Sequence, residues 1–261
     1  MANLARSIAA AALLSFAGLS PASADGAQRS STKDDAPPPM AAYSWTGTYF
    51  GLHAGHGFGD AKLRDNLPTI GGVPLPILSS THEVDGLLGG LQLGARRQFG
   101  SLVLGTELSM SAGNITGSSS DCLGITSLIN GLAPGAATAS CRSEVNWVAT
   151  ALAKVGWAHQ NWLFYGAAGW SLAGVEHQFT LAVNPALIPL SISSGKNDIA
   201  DGLTLGGGVE YGFSNGMSVG LEYLHRDLQH RGEGLLLGGI ITTGQRDIEM
   251  HSISASLNVK W

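Results

Sequence analysis

The feature that most constrains this chain is the alternation of its connections. From Trp45 onward, eight segments (44–60, 84–98, 102–112, 143–158, 162–177, 201–213, 217–228 and 247–261) place apolar residues at every second position over most of their length. That period sorts side chains to opposite faces of a sheet. The connections at 61–83, 113–142, 178–200 and 229–246 are long, whereas Phe99-Gly100-Ser101, His159-Gln160-Asn161 and Ser214-Asn215-Gly216 are tight. An even number of strands joined by long and short connections in strict alternation is what a membrane-spanning barrel needs to bring both chain ends out on one side. The expected fold is therefore all-β: a single eight-stranded antiparallel transmembrane β-barrel with three short periplasmic turns and four long extracellular loops.

A soluble lipocalin-like barrel or sandwich is the competing architecture, with an apolar interior and a polar outside. Strand by strand the two cannot be separated. In 102–112, Leu102, Leu104, Leu108 and Met110 share one face, opposite Gly105, Glu107, Ser109 and Ser111. In 247–261, Ile253, Ala255, Leu257, Val259 and Trp261 oppose Ser252, Ser254, Ser256, Asn258 and Lys260. The aromatics favour the membrane. Phe99, Trp157, Trp162, Phe213 and Trp261 gather beside the tight turns, and Phe58, Trp147 and Trp170 fall toward the other end, the placement of two interfacial girdles.

The first residues point the same way. Arg6 precedes an apolar run at 8–19 and the small residues Ala22-Ser23-Ala24, the pattern of a cleaved export signal over 1–24. The run is shorter than the roughly 20 residues a membrane helix needs, and no cysteine follows it to accept a lipid. Residues 25–43, with Pro37-Pro38-Pro39, read as a periplasmic tether without packed structure, and 44–261 as the barrel. Glycine is abundant at 37 of 261 residues and only 13% of residues are charged, yet no long apolar stretch accounts for the positive hydropathy; alternating wall segments do. The net charge of -5 argues against a nucleic-acid partner.

Cys122 and Cys141 are expected to form one disulfide in the oxidising compartment that export implies, closing a loop of about 20 residues. They lack the C-x-x-C spacing of a metal site. Projecting each strand onto two faces puts Arg96, Glu107, Lys154, Glu210, Glu222, Arg226 and Lys260 inside, because a cation facing lipid at midplane costs about 2 to 4 kcal/mol. An eight-stranded barrel is about wide enough for side chains to fill. The expectation is a plug of ion pairs, with a narrow ion path as the alternative. His56, His225 and His251 fall on outward positions near the outer rim. They read as interfacial histidines, with contact to lipopolysaccharide phosphates as the second reading; no metal is assigned, since the register is not fixed. His251-Ser252-Ile253 puts the serine on the opposite face from the histidine, so no catalytic set and no cofactor is read. Apolar runs within the loops, Leu132-Ala133-Pro134, Leu187-Ile188-Pro189-Leu190 and Leu235-Leu236-Leu237, fit strands extending beyond the membrane, or a contact with a hydrophobic ligand or host surface.

The stretch Trp45-Thr46-Gly47-Thr48-Tyr49-Phe50-Gly51-Leu52-His53-Ala54-Gly55, then Gly206-Gly207-Gly208-Val209-Glu210-Tyr211, then Leu221-Glu222-Tyr223 and a closing aromatic resemble the small "porin family" barrels of alphaproteobacteria, relatives of the OmpA transmembrane domain and opacity-type surface antigens. The resemblance covers the chain after the tether. It implies a surface-exposed outer-membrane protein, with Trp261 similar to the C-terminal signal read by the barrel assembly machinery, where Phe is more usual. Lipid and lipopolysaccharide are the implied surroundings, and a host surface is a candidate partner for the loops. The function expected is a structural barrel that supports the envelope and displays loops; a small-solute or ion channel is the alternative and an adhesin the third.

Overall fold

The computed structural model describes residues 43–66, 78–120, 125–132, 134–184, 191–237 and 240–261. The expected export signal, the tether up to residue 42 and Cys122 lie outside the described residues. Eight antiparallel strands form a closed ring in sequence order: β1 (Gly47–Asn66), β2 (Leu78–Phe99), β3 (Leu102–Ser119), β4 (Ala137–His159), β5 (Trp162–Val183), β6 (Ser191–Gly212), β7 (Met217–Leu237) and β8 (Ile240–Lys260). β8 pairs back onto β1, from Tyr49 opposite Lys260 to Asn66 opposite Thr243. The tight connections each carry one residue in the left-handed region: Gly100 (φ 63°), Gln160 (φ 54°) and Gly216 (φ 83°).

The ladder fixes the stagger. Stepping from Tyr49 through Gly94, Glu107, Leu152, Gly169, Thr204, Arg226 and Met250 returns to β1 at Gly59, ten residues further along. A shear of ten on eight strands tilts them by about 40° and leaves an interior that side chains fill. No helix among the described residues is long and apolar enough to cross a bilayer; crossing by strands is the barrel's solution, because closure leaves no unpaired backbone edge.

Polarity is inverted over the half of the wall nearest the tight turns. Leu52, Leu91, Leu108, Met110, Val155, Leu172, Leu203, Leu221 and Leu257 are exposed on the outside, while Gln92, Arg96, Glu107, Lys154, Glu210 and Asn258 are buried inside. Phe99, Trp157, Trp162, Phe164, Phe213 and Trp261 edge this band below, and Phe58 and Trp170 lie outward at its upper margin. Only hydrocarbon around the wall makes that arrangement favourable.

The strands do not stop where the apolar band stops. Of the stretches expected as long connections, 61–66, 78–83, 113–119, 137–142, 178–183, 191–200, 229–237 and 240–246 are strand. In this extension the polarity returns to that of a water-soluble barrel. Ala61, Val84, Leu88, Ile115, Val145, Val175, Leu228, Ile248 and Met250 form an apolar core inside, while Glu83, Asp85, Asp201 and Asp227 point out. Strand ends predicted at Asp60, Val84, Ala112, Ser143, His177, Asp201, Leu228 and Asp247 therefore move outward. The run at Leu235 is strand, the run at Leu132 ends the short helix α1 (Ile125–Leu132), and 187–190 lies outside the described residues. Asn130 and Thr126 of α1 hydrogen-bond the backbone of Ala137 and Ala139. At the other end, residues 44–46 are not strand as expected; they enter the mouth of the ring ahead of β1.

Candidate functional site

The chemistry of this barrel is concentrated in its interior, where two charge clusters meet across the lumen. Arg96 on β2 reaches Glu210 on β6 through two hydrogen bonds, from Nη1 to Oε2 at 2.8 Å and from Nη2 to Oε1 at 2.6 Å. The guanidinium lies over the Tyr49 ring at 4.0 Å and the Trp45 ring at 5.6 Å. Glu210 also accepts from Ser218 (3.2 Å) and Asn258 (3.4 Å), and Gln92 donates to Asn258 at 2.7 Å. Both oxygens of the buried carboxylate thereby accept hydrogen bonds, with Oε2 taking three donors, the kind of compensation that makes burial of an ion pair tolerable.

The second cluster is nearly symmetrical. Lys154 Nζ on β4 sits between Glu107 Oε2 (2.9 Å) and Glu222 Oε2 (2.6 Å). Each carboxylate also accepts from a tyrosine: Tyr49 donates to Glu107 at 2.6 Å and Tyr165 to Glu222 at 2.9 Å. Both tyrosines stand directly opposite a glycine of the next strand, Tyr49 opposite Gly94 and Tyr165 opposite Gly208, and a Cβ at either glycine would meet the ring. The missing side chain is what lets each ring lie across the wall and aim its hydroxyl inward.

Arg226 is placed differently from the other expected interior cations. It donates to Ser252 at 2.7 Å, and no ion pair reaches it among the described residues. Lys260 lies at the lower mouth, where its ammonium faces the Ser44 carbonyl and the Tyr43 ring at 4.6 Å. Hydroxyls fill the level above: Thr150 with Ser171 (2.9 Å) and Ser171 with Thr204 (2.6 Å). Higher still, inside the extension, Ser143 bridges His82 (3.0 Å) and His177 (2.9 Å).

Below the charge clusters the mouth is corked. Trp45 is 2% exposed and packs with Val103, Ala158 and Leu163. Tyr43 stacks on it edge-on at 4.6 Å and bonds Asn161 and Gly216; burial pushes its hydroxyl above the ordinary tyrosine range. Tyr49, Tyr165, Gln92 and Asn258 share strand parity with the interior charges, and that parity is the signal that finds them. Trp45 precedes the first strand and has no parity to read.

On the outside, His225 and His251 are paired across β7 and β8, while His56 lies further from them, its ring 6.1 Å from Phe58. Ser252 points inward and His251 outward. Cys141 is buried and disulfide-bonded. Trp261 is exposed at the end of β8, its backbone N–H donating to Thr48.

Two relatives carry the name 31 kDa outer-membrane immunogenic protein, one from Brucella melitensis and one from Brucella suis. Each is 27% identical over 232 residues, covering 85% of this chain and 86% of the relative. Among solved structures, the outer membrane protein OprG from Pseudomonas aeruginosa aligns over 84% of this chain and 98% of its own, at 13% identity and a TM-score of 0.46. Residues 9–260 match the family described as outer membrane protein beta-barrel domain. The chain belongs to that family, and the bilayer its apolar wall faces is the outer membrane.

Proposed function

We propose that this protein is a sealed structural barrel of the outer membrane that presents its strand extension and outer connections at the cell surface. The observation that carries this reading is the continuous occupation of the interior: the Trp45 cork, the Arg96–Glu210 and Glu107–Lys154–Glu222 clusters, and the apolar layer of Leu88, Ile115, Leu228 and Met250 follow one another along the axis. An ion crossing it would have to displace paired charges and then pass the apolar layer of the extension. The reading is non-catalytic. Surface display is supported by the immunogenic relatives, and the water-compatible outer face of the extension supports it independently. Lipid and lipopolysaccharide are the partners of the wall, the assembly machinery the partner of the Trp261 end, and a host surface the candidate partner of the outer connections.

The test is reconstitution of the folded chain in planar bilayers and liposomes. Silent bilayers and liposomes that do not swell with small sugars are the expected result. Steady unitary conductance would replace the sealed barrel with a channel.

A further inference from the structure

We propose that His225, His251 and Glu249 form a binding site for a zinc-type divalent transition metal on the outer wall, at the upper margin of the apolar band. The proposal is independent of whether the barrel conducts. His225 and His251 are directly opposite on β7 and β8, with their Nδ1 atoms 3.4 Å apart. Two imidazole nitrogens bound at 2.0–2.1 Å to one tetrahedral zinc are separated by about 3.4 Å. Glu249, two residues before His251 and therefore on the same face, brings a carboxylate oxygen into the group, and all the ligand atoms lie within 4.8 Å of one another. The Phe58 ring stacks on His251 at 5.4 Å, which limits its rotation. Three protein ligands would leave a fourth position for water.

The surrounding charge selects a cation. The register puts Glu83, Asp60, Glu249 and Asp227 in one cross-strand row on the outer face. Like charges directly opposite one another are destabilising, and the ion pair described in this row, Lys62 with Glu249 at 3.4 Å, is exposed. This row disfavours the alternative occupant of the histidine pair, a lipopolysaccharide phosphate. Imidazole in the ligand set disfavours Mg²⁺ and Ca²⁺, which take oxygen ligands. Two existing interactions compete with the metal: the Tyr223 hydroxyl, 2.7 Å from His251 Nδ1, and Lys62. Sequence parity placed the two histidines on the outer face of neighbouring strands at comparable height; the β7–β8 register sets them directly opposite one another.

The experiment titrates Zn²⁺ into the untagged, full-length chain refolded in detergent and stripped with chelator, with heat-modifiable gel migration confirming the barrel in every sample. One equivalent should bind to the wild type. His225→Ala and His251→Ala should each weaken it by more than about 10-fold, while Tyr223→Phe binds at least as tightly as wild type, and millimolar Mg²⁺ or Ca²⁺ should not displace the zinc. Co²⁺ bound to the wild type should give the visible absorption of a tetrahedral site, a readout that needs no variant. Failure of the wild type to bind zinc, displacement by Mg²⁺, or equal binding by a folded His225→Ala/His251→Ala double variant would overturn the proposal.

Discussion

Arg96 and Glu210 come from strands on opposite sides of the ring and meet in the lumen through two parallel hydrogen bonds, with side chains 5% and 1% exposed. Removing one partner strands the other charge away from water. Glu210→Ala should therefore destabilise the barrel by about 3–5 kcal/mol, whereas Arg96→Met/Glu210→Met together should cost far less or nothing. Urea unfolding of the refolded barrel in detergent, followed by tryptophan fluorescence, measures both. Equal losses in the single and double variants would mean that the pair packs rather than compensates.

The two glycines opposite the tyrosines predict a different kind of defect. A Cβ at Gly94 would meet the Tyr49 ring and push its hydroxyl away from Glu107. Gly94→Ala should lower stability by about 1–3 kcal/mol through overpacking. Tyr49→Phe, which keeps the ring and removes only the hydroxyl, should cost no more than about 1.5 kcal/mol, because Lys154 still pairs with Glu107. If the glycine is merely permissive for the backbone, Gly94→Ala will unfold at the wild-type urea concentration.

These relationships mark where the sequence becomes illegible. Alternation reads well in Leu102–Met110 because one side faces lipid and the other a polar lumen. Beyond Asp60 and Val84 both surroundings change: water replaces lipid outside, and Ala61, Leu228 and Ile248 replace polar groups inside. The apolar parity thus switches faces, and the strands look as though they end. Parity also says that Arg96, Glu107, Lys154, Glu210 and Glu222 share a side without saying which of them meet. That depends on the shear, a property of the closed ring and not of any strand. The direct pairing of His225 with His251 depends on the β7–β8 register alone, which the stretch 229–246, read as a loop, left open.

The disulfide at Cys141 belongs to the extension and not to the membrane section, since Cys141 packs in the upper apolar cluster. We expect Cys122→Ser/Cys141→Ser to refold into a heat-modifiable barrel while its β3–β4 connection becomes sensitive to protease. Limited proteolysis, with fragments sized by mass spectrometry, decides this. A double variant that fails to refold would place the disulfide among the determinants of barrel closure.

Trp45 supplies the sharpest contrast between packing and polarity. Its ring fills the lower mouth, but its indole N–H, buried, has no hydrogen-bond partner among the described residues, so there the nitrogen itself contributes nothing that phenylalanine would lose. Trp45→Phe should unfold close to wild type, while Trp45→Ala should lose about 3–5 kcal/mol. Bilayers containing Trp45→Ala should nonetheless stay silent, because the ion pairs and the apolar layer of Leu88, Ile115 and Met250 lie above the opened mouth. Conductance in Trp45→Ala alone would show that a single aromatic cork holds the seal and that the interior above it is already passable to ions.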